Sequence, residues 1–270
     1  MKGVFFLIIF ALICPMLQAQ DSVYTNPIGI KFILIRPGTV QIGKYVPTIP
    51  ARDTAPNSKS IFTDTDYKKA ARMASKNMRK GFSVQIPKAF YMGVYEVTQQ
   101  EWTKIMRTNP STFQNAAEPV ASASFPVETV TAQEILQFIS KLNEMDPGKK
   151  YRLPTEFEWE YAAGSGYGDD ISWKEIRETA VLGGKSTVNV GTKKPNHLGI
   201  YDMLGNVWEW TSDFYNEKLF ADRRPPKSGT TYVLKGASFT GDVKNATFKT
   251  HAGGPGNGWD IGFRLVFEMY

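Results

Sequence analysis

Hydrophobic positions fall in short runs along most of this chain, and the period of each run predicts its element. In Lys31 to Gly43, K-F-I-L-I-R-P-G-T-V-Q-I-G, apolar residues lie on both sides of Arg36-Pro37-Gly38-Thr39. This predicts two short strands about a turn, with Pro37 and Gly38 supplying the turn dihedrals. F-S-V-Q-I and A-F-Y-M-G-V-Y-E-V, between Gly81 and Val97, add two strands separated at Pro87. The pattern then becomes helical. Thr98 with Glu101, Thr131 with Glu134 and Thr155 with Glu158 each form a capping box. There the threonine oxygen accepts from the amide three residues on and the glutamate reaches back. Ile135, Phe138, Ile139 and Leu142 give the second helix one buried face, and Asp146-Pro147-Gly148 ends it. Asp169 to Lys185 is polar, with room for one short helix. Thr187 to Gly191, Tyr232 to Phe239 and Gly262 to Phe267 read as strands. Long loops link these pieces, so the domain needs internal ties.

The chain is organised around Asn196 to Asp213, N-H-L-G-I-Y-D-M-L-G-N-V-W-E-W-T-S-D. Tyr201, Met203, Leu204, Val207, Trp208 and Trp210 surround Gly199 and Gly205, which reads as core about a tight turn. Asp202, Glu209 and Asp213 lie among them. Buried carboxylates need a partner, so this segment holds either an ion pair or a metal.

Composition narrows the classes. The chain has 270 residues, enough for one large domain, with no repeat or evident linker. Met1 to Gln20 has one cation, Lys2, an apolar run Val4 to Ile13, and then Pro15 and L-Q-A-Q. This is the layout of a secretory signal peptide cleaved after Ala19 or Gln20. The run is shorter than the roughly 20 residues a spanning helix needs. Ile13 before Cys14 disfavours lipoprotein anchoring. The expected location is secreted, periplasmic or cell-envelope. The domain plan is an arm over 21–30, then one domain over 31–270. Cleavage removes the only cysteine, which leaves no disulfide, thiolate nucleophile or cysteine-bound metal. The net charge of +6 is too modest to indicate nucleic acid. Residues 44–80 carry Pro47, Pro50 and Pro56, then Lys68, Lys69, Arg72, Lys76, Arg79 and Lys80. They read as a solvated basic surface insertion with a short helix over Tyr67 to Met78, the alternative being a basic contact site for an acidic partner or a membrane surface. Gly164, Gly166 and Gly168 form a loop without the strand-to-helix context or the lysine of a phosphate cradle.

Several longer motifs then stand in order: F-Y-M-G-V-Y-E-V-T at Phe90 to Thr98, N-P-S-T-F at Asn109 to Phe113 and P-V-E-T-V-T at Pro126 to Thr131. They continue with Y-R-L-P-T-E-F-E-W-E-Y-A-A at Tyr151 to Ala163, the central segment, L-K-G-A-S-F at Leu234 to Phe239 and G-F-R-L-V at Gly262 to Val266. The chain resembles the formylglycine-generating enzyme (sulfatase-modifying factor) family over about Phe32 to Val266. The resemblance implies an α+β fold related to C-type lectins, with little regular structure.

Catalytic members of that family oxidise a sulfatase cysteine with copper(I) held by two cysteines, and thiolates suit copper(I). At the matching positions this chain has Gly241 and Ala246, so no copper is expected. Ser238 matches the pocket serine. His197 and His251 with a carboxylate could form an iron(II) triad, although structural roles are favoured for both. The resemblance also implies a calcium site at Asp202, Gly205, Val207 and Glu209, where carboxylates and backbone carbonyls supply hard oxygen donors. The competing reading pairs Glu209 with Arg152 or Arg264 and needs no ion. Trp102, Trp159, Trp208 and Trp210 read as core. Trp259, after a glycine-rich loop, reads as facing a ligand. With Ser238, Asp242, Asn245, Asn257 and Asp260 it makes a polar pocket with an aromatic floor. The expected function is a non-catalytic binding protein for a protein, peptide or glycan, with a gliding or type IX secretion component as one setting. An oxidoreductase acting on a thiol is the alternative.

Overall fold

The computed structural model describes residues 22–43, 65, 68, 81–115, 119–164, 172–254 and 256–269. The signal-peptide reading, with Cys14, and nearly all of the basic insertion lie outside them, as do Gly166 and Gly168.

Eleven strands and five helices are described. The strands are β1 (Val23–Thr25), β2 (Lys31–Ile35), β3 (Gly38–Ile42), β4 (Phe82–Ile86), β5 (Phe90–Gly93), β6 (Lys149–Arg152), β7 (Trp208–Phe214), β8 (Tyr232–Lys235), β9 (Ala252–Gly253), β10 (Ile261–Gly262) and β11 (Val266–Met269). The helices are α1 (Gln99–Met106), α2 (Ala132–Met145), α3 (Glu156–Ala163), α4 (Trp173–Thr179) and α5 (Leu219–Asp222). Thr98, Thr131 and Thr155 close both halves of their capping boxes, as expected. Ser172 with Glu175 forms a fourth box and starts α4. Its S-W-K-E pattern was readable by the same rule.

One antiparallel sheet runs β1-β2-β5-β11-β6, so the last strand sits beside β5 and β6 near the sheet centre. A second sheet runs β10-β7-β8-β9, with β10 parallel to β7. β3 and β4 pair only with each other. Side chains alternate across the five-stranded sheet. Phe32, Tyr91, Tyr151 and Phe267 join the core under α1 and α2, where Trp102 stacks on Phe138 at 5.2 Å. Ile35, Met92 and Val266 face the other way, onto Trp159 of α3 and Ile176 of α4.

Three expectations are corrected. The arm over 21–30 contains β1, paired to β2, because Tyr24 has aromatic partners in Phe32 and Phe267 and its hydroxyl donates to Asp146. Thr187 to Gly191 forms no strand. Its amides are taken elsewhere, Val188 N–H donating to Asn206 Oδ1 and Val190 N–H to the Ser124 carbonyl. The strand from Tyr232 stops at Lys235, because Gly236 and Ala237 adopt φ of 93° and 63°. β2 and β3 are both present but do not pair with each other. The chain turns a corner at Gly38, where an added Cβ would lie 2.1 Å from the Tyr161 hydroxyl.

Thr131→Ala should destabilise the domain by about 1 kcal/mol, the usual value of an N-cap, with an unchanged denaturant slope in urea unfolding. Thr131→Ser should recover most of the loss. Equal stability of all three proteins would show that α2 does not depend on its cap.

Candidate functional site

The central segment forms its turn through Asp202, Gly205 and Asn206, all at positive φ. Gly205 is required there, since a Cβ would sit 2.1 Å from the Val181 carbonyl oxygen. The segment then enters β7, which carries Glu209 inward. Arg264 meets it, fully buried in the link between β10 and β11. Its Nε and Nη2 donate to the two Glu209 oxygens, each at 2.6 Å. The remaining donors reach the Gly93 and Tyr201 carbonyls. Trp159 Nε1 donates to Glu209 Oε2 at 2.7 Å.

Of the two readings for Glu209, the geometry therefore supports the ion pair, with Arg264. Arg152 is bound to Glu158 and Glu268. The residues set out for calcium do not fit that ion as a group. Both Glu209 oxygens carry guanidinium hydrogens, and a cation there would displace Arg264 or face its charge. Asp202 keeps one buried oxygen without a partner, Oδ1, while Gly191 N–H donates to the other. Buried Glu96 accepts from the Asn206 amide and from Val207 N–H. Burial, reinforced by Asp202 and Glu209, holds the Glu96 carboxyl well above the usual range. Burial also pushes Asp202 up to about 6.

A second buried network fixes α3. Lys235 Nζ lies 2.9 Å from Glu160 and 3.6 Å from Glu156, and Lys249 Nζ lies 2.9 Å from the other Glu160 oxygen. His251 places Nδ1 against Glu156 and Nε2 against the Asn216 carbonyl. The structural role for His251 is thus the one the contacts describe. His197 is exposed on a loop, and among the described residues no three His, Cys, Asp or Glu side chains gather as a metal donor set. Asp213 accepts from Glu156 N–H, and burial pushes its carboxyl up to about 6.

The open face lies at the end of this scaffold. Ser238 Oγ donates to Asp260 Oδ2 at 2.8 Å and lies 2.9 Å from the Thr240 hydroxyl. Trp259 is 47% exposed, the most exposed large aromatic among the described residues, and rests on Phe239 and Phe113. Of the six expected pocket residues, the structure brings together Ser238, Asp260 and Trp259. Asp242 serves its own turn, accepting from Lys244 N–H on its side chain and from Asn245 and Ala246 on its carbonyl. Asn245 and Asn257 are exposed.

Sequence reasoning missed the opposite wall. Glu128, buried and raised by desolvation, accepts from Phe113 N–H and from the Thr129 hydroxyl. Thr129 stands at φ 64° and donates its N–H to the Gly258 carbonyl. A β-branched residue there is strained. The signal was available in P-V-E-T-V-T, whose glutamate has no helix to cap.

Gly241 and Ala246 offer no side-chain donor to copper(I). A Cβ at Gly241 would meet Leu182 Cδ2 and the Ser238 carbonyl, both at 3.0 Å. Ala246 is buried in the core that includes Trp159.

Residues 25–269 match the model of the sulfatase-modifying factor enzyme 1-like domain. The chain is 29% identical over 228 residues to the chaperone protein LppX of Paenibacillus barcinonensis, covering 66% of this chain and 79% of that protein. It is 36% identical over 112 residues to the formylglycine-generating enzyme of Streptomyces coelicolor, covering 33% of this chain and only 36% of the enzyme. Among solved structures, Treponema denticola variable protein 1 superposes with a TM-score of 0.66 at 25% identity, covering 90% of this chain and 97% of that one. The chain belongs to the sulfatase-modifying factor family and has its α+β fold.

Two predictions follow from the buried charges. Arg264→Met should cost about 3–5 kcal/mol by leaving Glu209 unpaired, and adding Glu209→Met should recover part of it. Additive losses in urea unfolding would contradict the pairing. Asp202 has an ordinary pKa of 3.8 and a folded one of about 6. The folded state therefore binds more protons between those values, and stability falls as pH rises through them. Asn tolerates positive φ, so Asp202→Asn should flatten the melting temperature across about pH 4–6 and raise it at pH 7. An unchanged profile would contradict the assignment.

Proposed function

We propose that this member of the sulfatase-modifying factor family is a non-catalytic protein of the secreted or envelope fraction that binds a protein, peptide or glycan on the face around Trp259. The observation that carries the reading is the aromatic and polar wall that stands at that face. The resemblance puts Gly241 and Ala246 where catalytic relatives carry thiols; Leu182 lies beside Gly241, and Ala246 is buried in the core. The surrounding wall of Ser238, Thr240, Asp260, Phe239 and Trp259 is nevertheless assembled.

Such a wall suits recognition. An aromatic side chain stacked on two others loses little freedom on binding and offers both ring area and an indole N–H. Asp260 and the hydroxyls of Ser238, Thr240, Thr112 and Thr129 supply directional polar contacts around it. That pattern fits sugar hydroxyls or the backbone of a peptide. A relative named as a chaperone supports a role in binding. Among the described residues no helix is long and apolar enough to cross a membrane. A thiol oxidoreductase has no comparable support from the donors present.

Trp259→Ala should weaken binding on glycan and peptide arrays at least tenfold, since central aromatic anchors dominate recognition surfaces. Its melting temperature should stay close to that of the parent protein, because Trp259 is half exposed. Unchanged array binding would contradict the placement of the site.

A further inference from the structure

Among the described residues, one edge of β4 has no strand partner: β4 hydrogen-bonds to β3 alone. Every second residue of an antiparallel strand turns its N–H and C=O away from its partner. Such an edge is usually blunted by charge, proline or a bulge. F-S-V-Q-I has none of these within the strand. Its register with β3 is unbroken over all five residues, from Ile86 opposite Gly38 to Phe82 opposite Ile42.

A cavity of about 700 Å³ runs along this edge, lined by residues 81–85, Phe157 and Arg223-Arg224-Pro225. Phe157 is set edge-on against Phe82 at 5.9 Å within it, beside the polar Ser83 and Gln85. Among the described residues, its charged side chains are the two arginines. Both are exposed, and neither has an ion-pair partner among the described residues. The backbone around them is held, because Arg223 caps α5 at φ 57° with its N–H on the Leu219 carbonyl. A smaller cavity of about 240 Å³ continues past Ile86 and Pro87. Its acids, Glu158 and Glu268, both pair with Arg152, and Lys88 lines the same cavity.

We propose that the open edge of β4 binds an extended acidic peptide by strand addition. The peptide's backbone pairs with β4, and carboxylates at one end meet Arg223 and Arg224. Strand addition draws affinity from main-chain hydrogen bonds and specificity from side-chain pockets. Guanidinium groups recognise carboxylates through paired donors. Five residues of strand span roughly 17 Å at about 3.3 Å each, enough for a short segment of a partner protein. This surface is separate from the Trp259 face and stands or falls independently of it.

The test uses the purified protein and a fluorescein-labelled peptide of alternating threonine and valine ending in two glutamates. Fluorescence anisotropy should show saturable binding that weakens with salt. Three controls should each lose at least tenfold in affinity: the peptide ending in two lysines, the glutamate peptide N-methylated at alternate residues, and the Arg223→Ala/Arg224→Ala protein. The arginines are exposed, so that variant should melt like the parent protein. Absence of saturable binding, equal binding of the lysine peptide, indifference to N-methylation or indifference to the arginine changes would each overturn the proposal. Trp259→Ala should leave this affinity unchanged, and a tenfold loss in that variant would place the peptide on the other face.

Discussion

The pairing of Arg264 with Glu209 is the contact on which the rest of the architecture depends. It joins β7 of one sheet to the link leading into β11 of the other, and its spare donors reach carbonyls of Gly93 and Tyr201. Arg264 and Glu209 are fully buried. Each would be very costly alone, since a buried charge without a partner loses its hydration for nothing. Together, with Trp159 on the same carboxylate, they hold two sheets and α3 in one arrangement. The three carboxylates Glu96, Asp202 and Glu209 share this one guanidinium. Burial first, and the neighbouring carboxylates second, hold Glu96 and Asp202 above the usual carboxylate range.

A second set of buried charges does for α3 what an apolar stripe does for α2. In α2 the period of Ile135, Phe138, Ile139 and Leu142 places one face in the core. In α3 most of the residues are buried, including Glu156 and Glu160, so no single face is apolar. Lys235 and Lys249 arrive from other elements to balance those acids, and His251 lies against Glu156. With no cysteine in the described residues, such charge ties take the place of covalent ones in a domain rich in loops.

These two helices also show how far the sequence could be read. Capping boxes are local, so Thr98, Thr131 and Thr155 announced their helices, and Ser172 announced a fourth in the same terms. The exposed Trp259 was legible from its glycine-rich surroundings, and its neighbours Ser238 and Asp260 from their motifs. The partner of Glu209 was not resolved, because two arginines were available and only tertiary packing chooses between them. The Glu128–Thr129 wall was missed because its contacts to Phe113 and Gly258 join segments far apart in sequence. The strand expected at Thr187 failed for the same reason: Asn206, 18 residues away from Val188, takes its amide.

The proposed binding role rests on a polar and aromatic surface held by a scaffold with buried ion pairs, since function is argued from the site and not from the fold. The most direct measurement is oxygen uptake by the purified protein supplied with copper(I) and a cysteine-containing sulfatase peptide. The account predicts consumption no faster than copper(I) and peptide alone, with the peptide's thiol unconverted. Catalytic formation of an aldehyde on the peptide would contradict it.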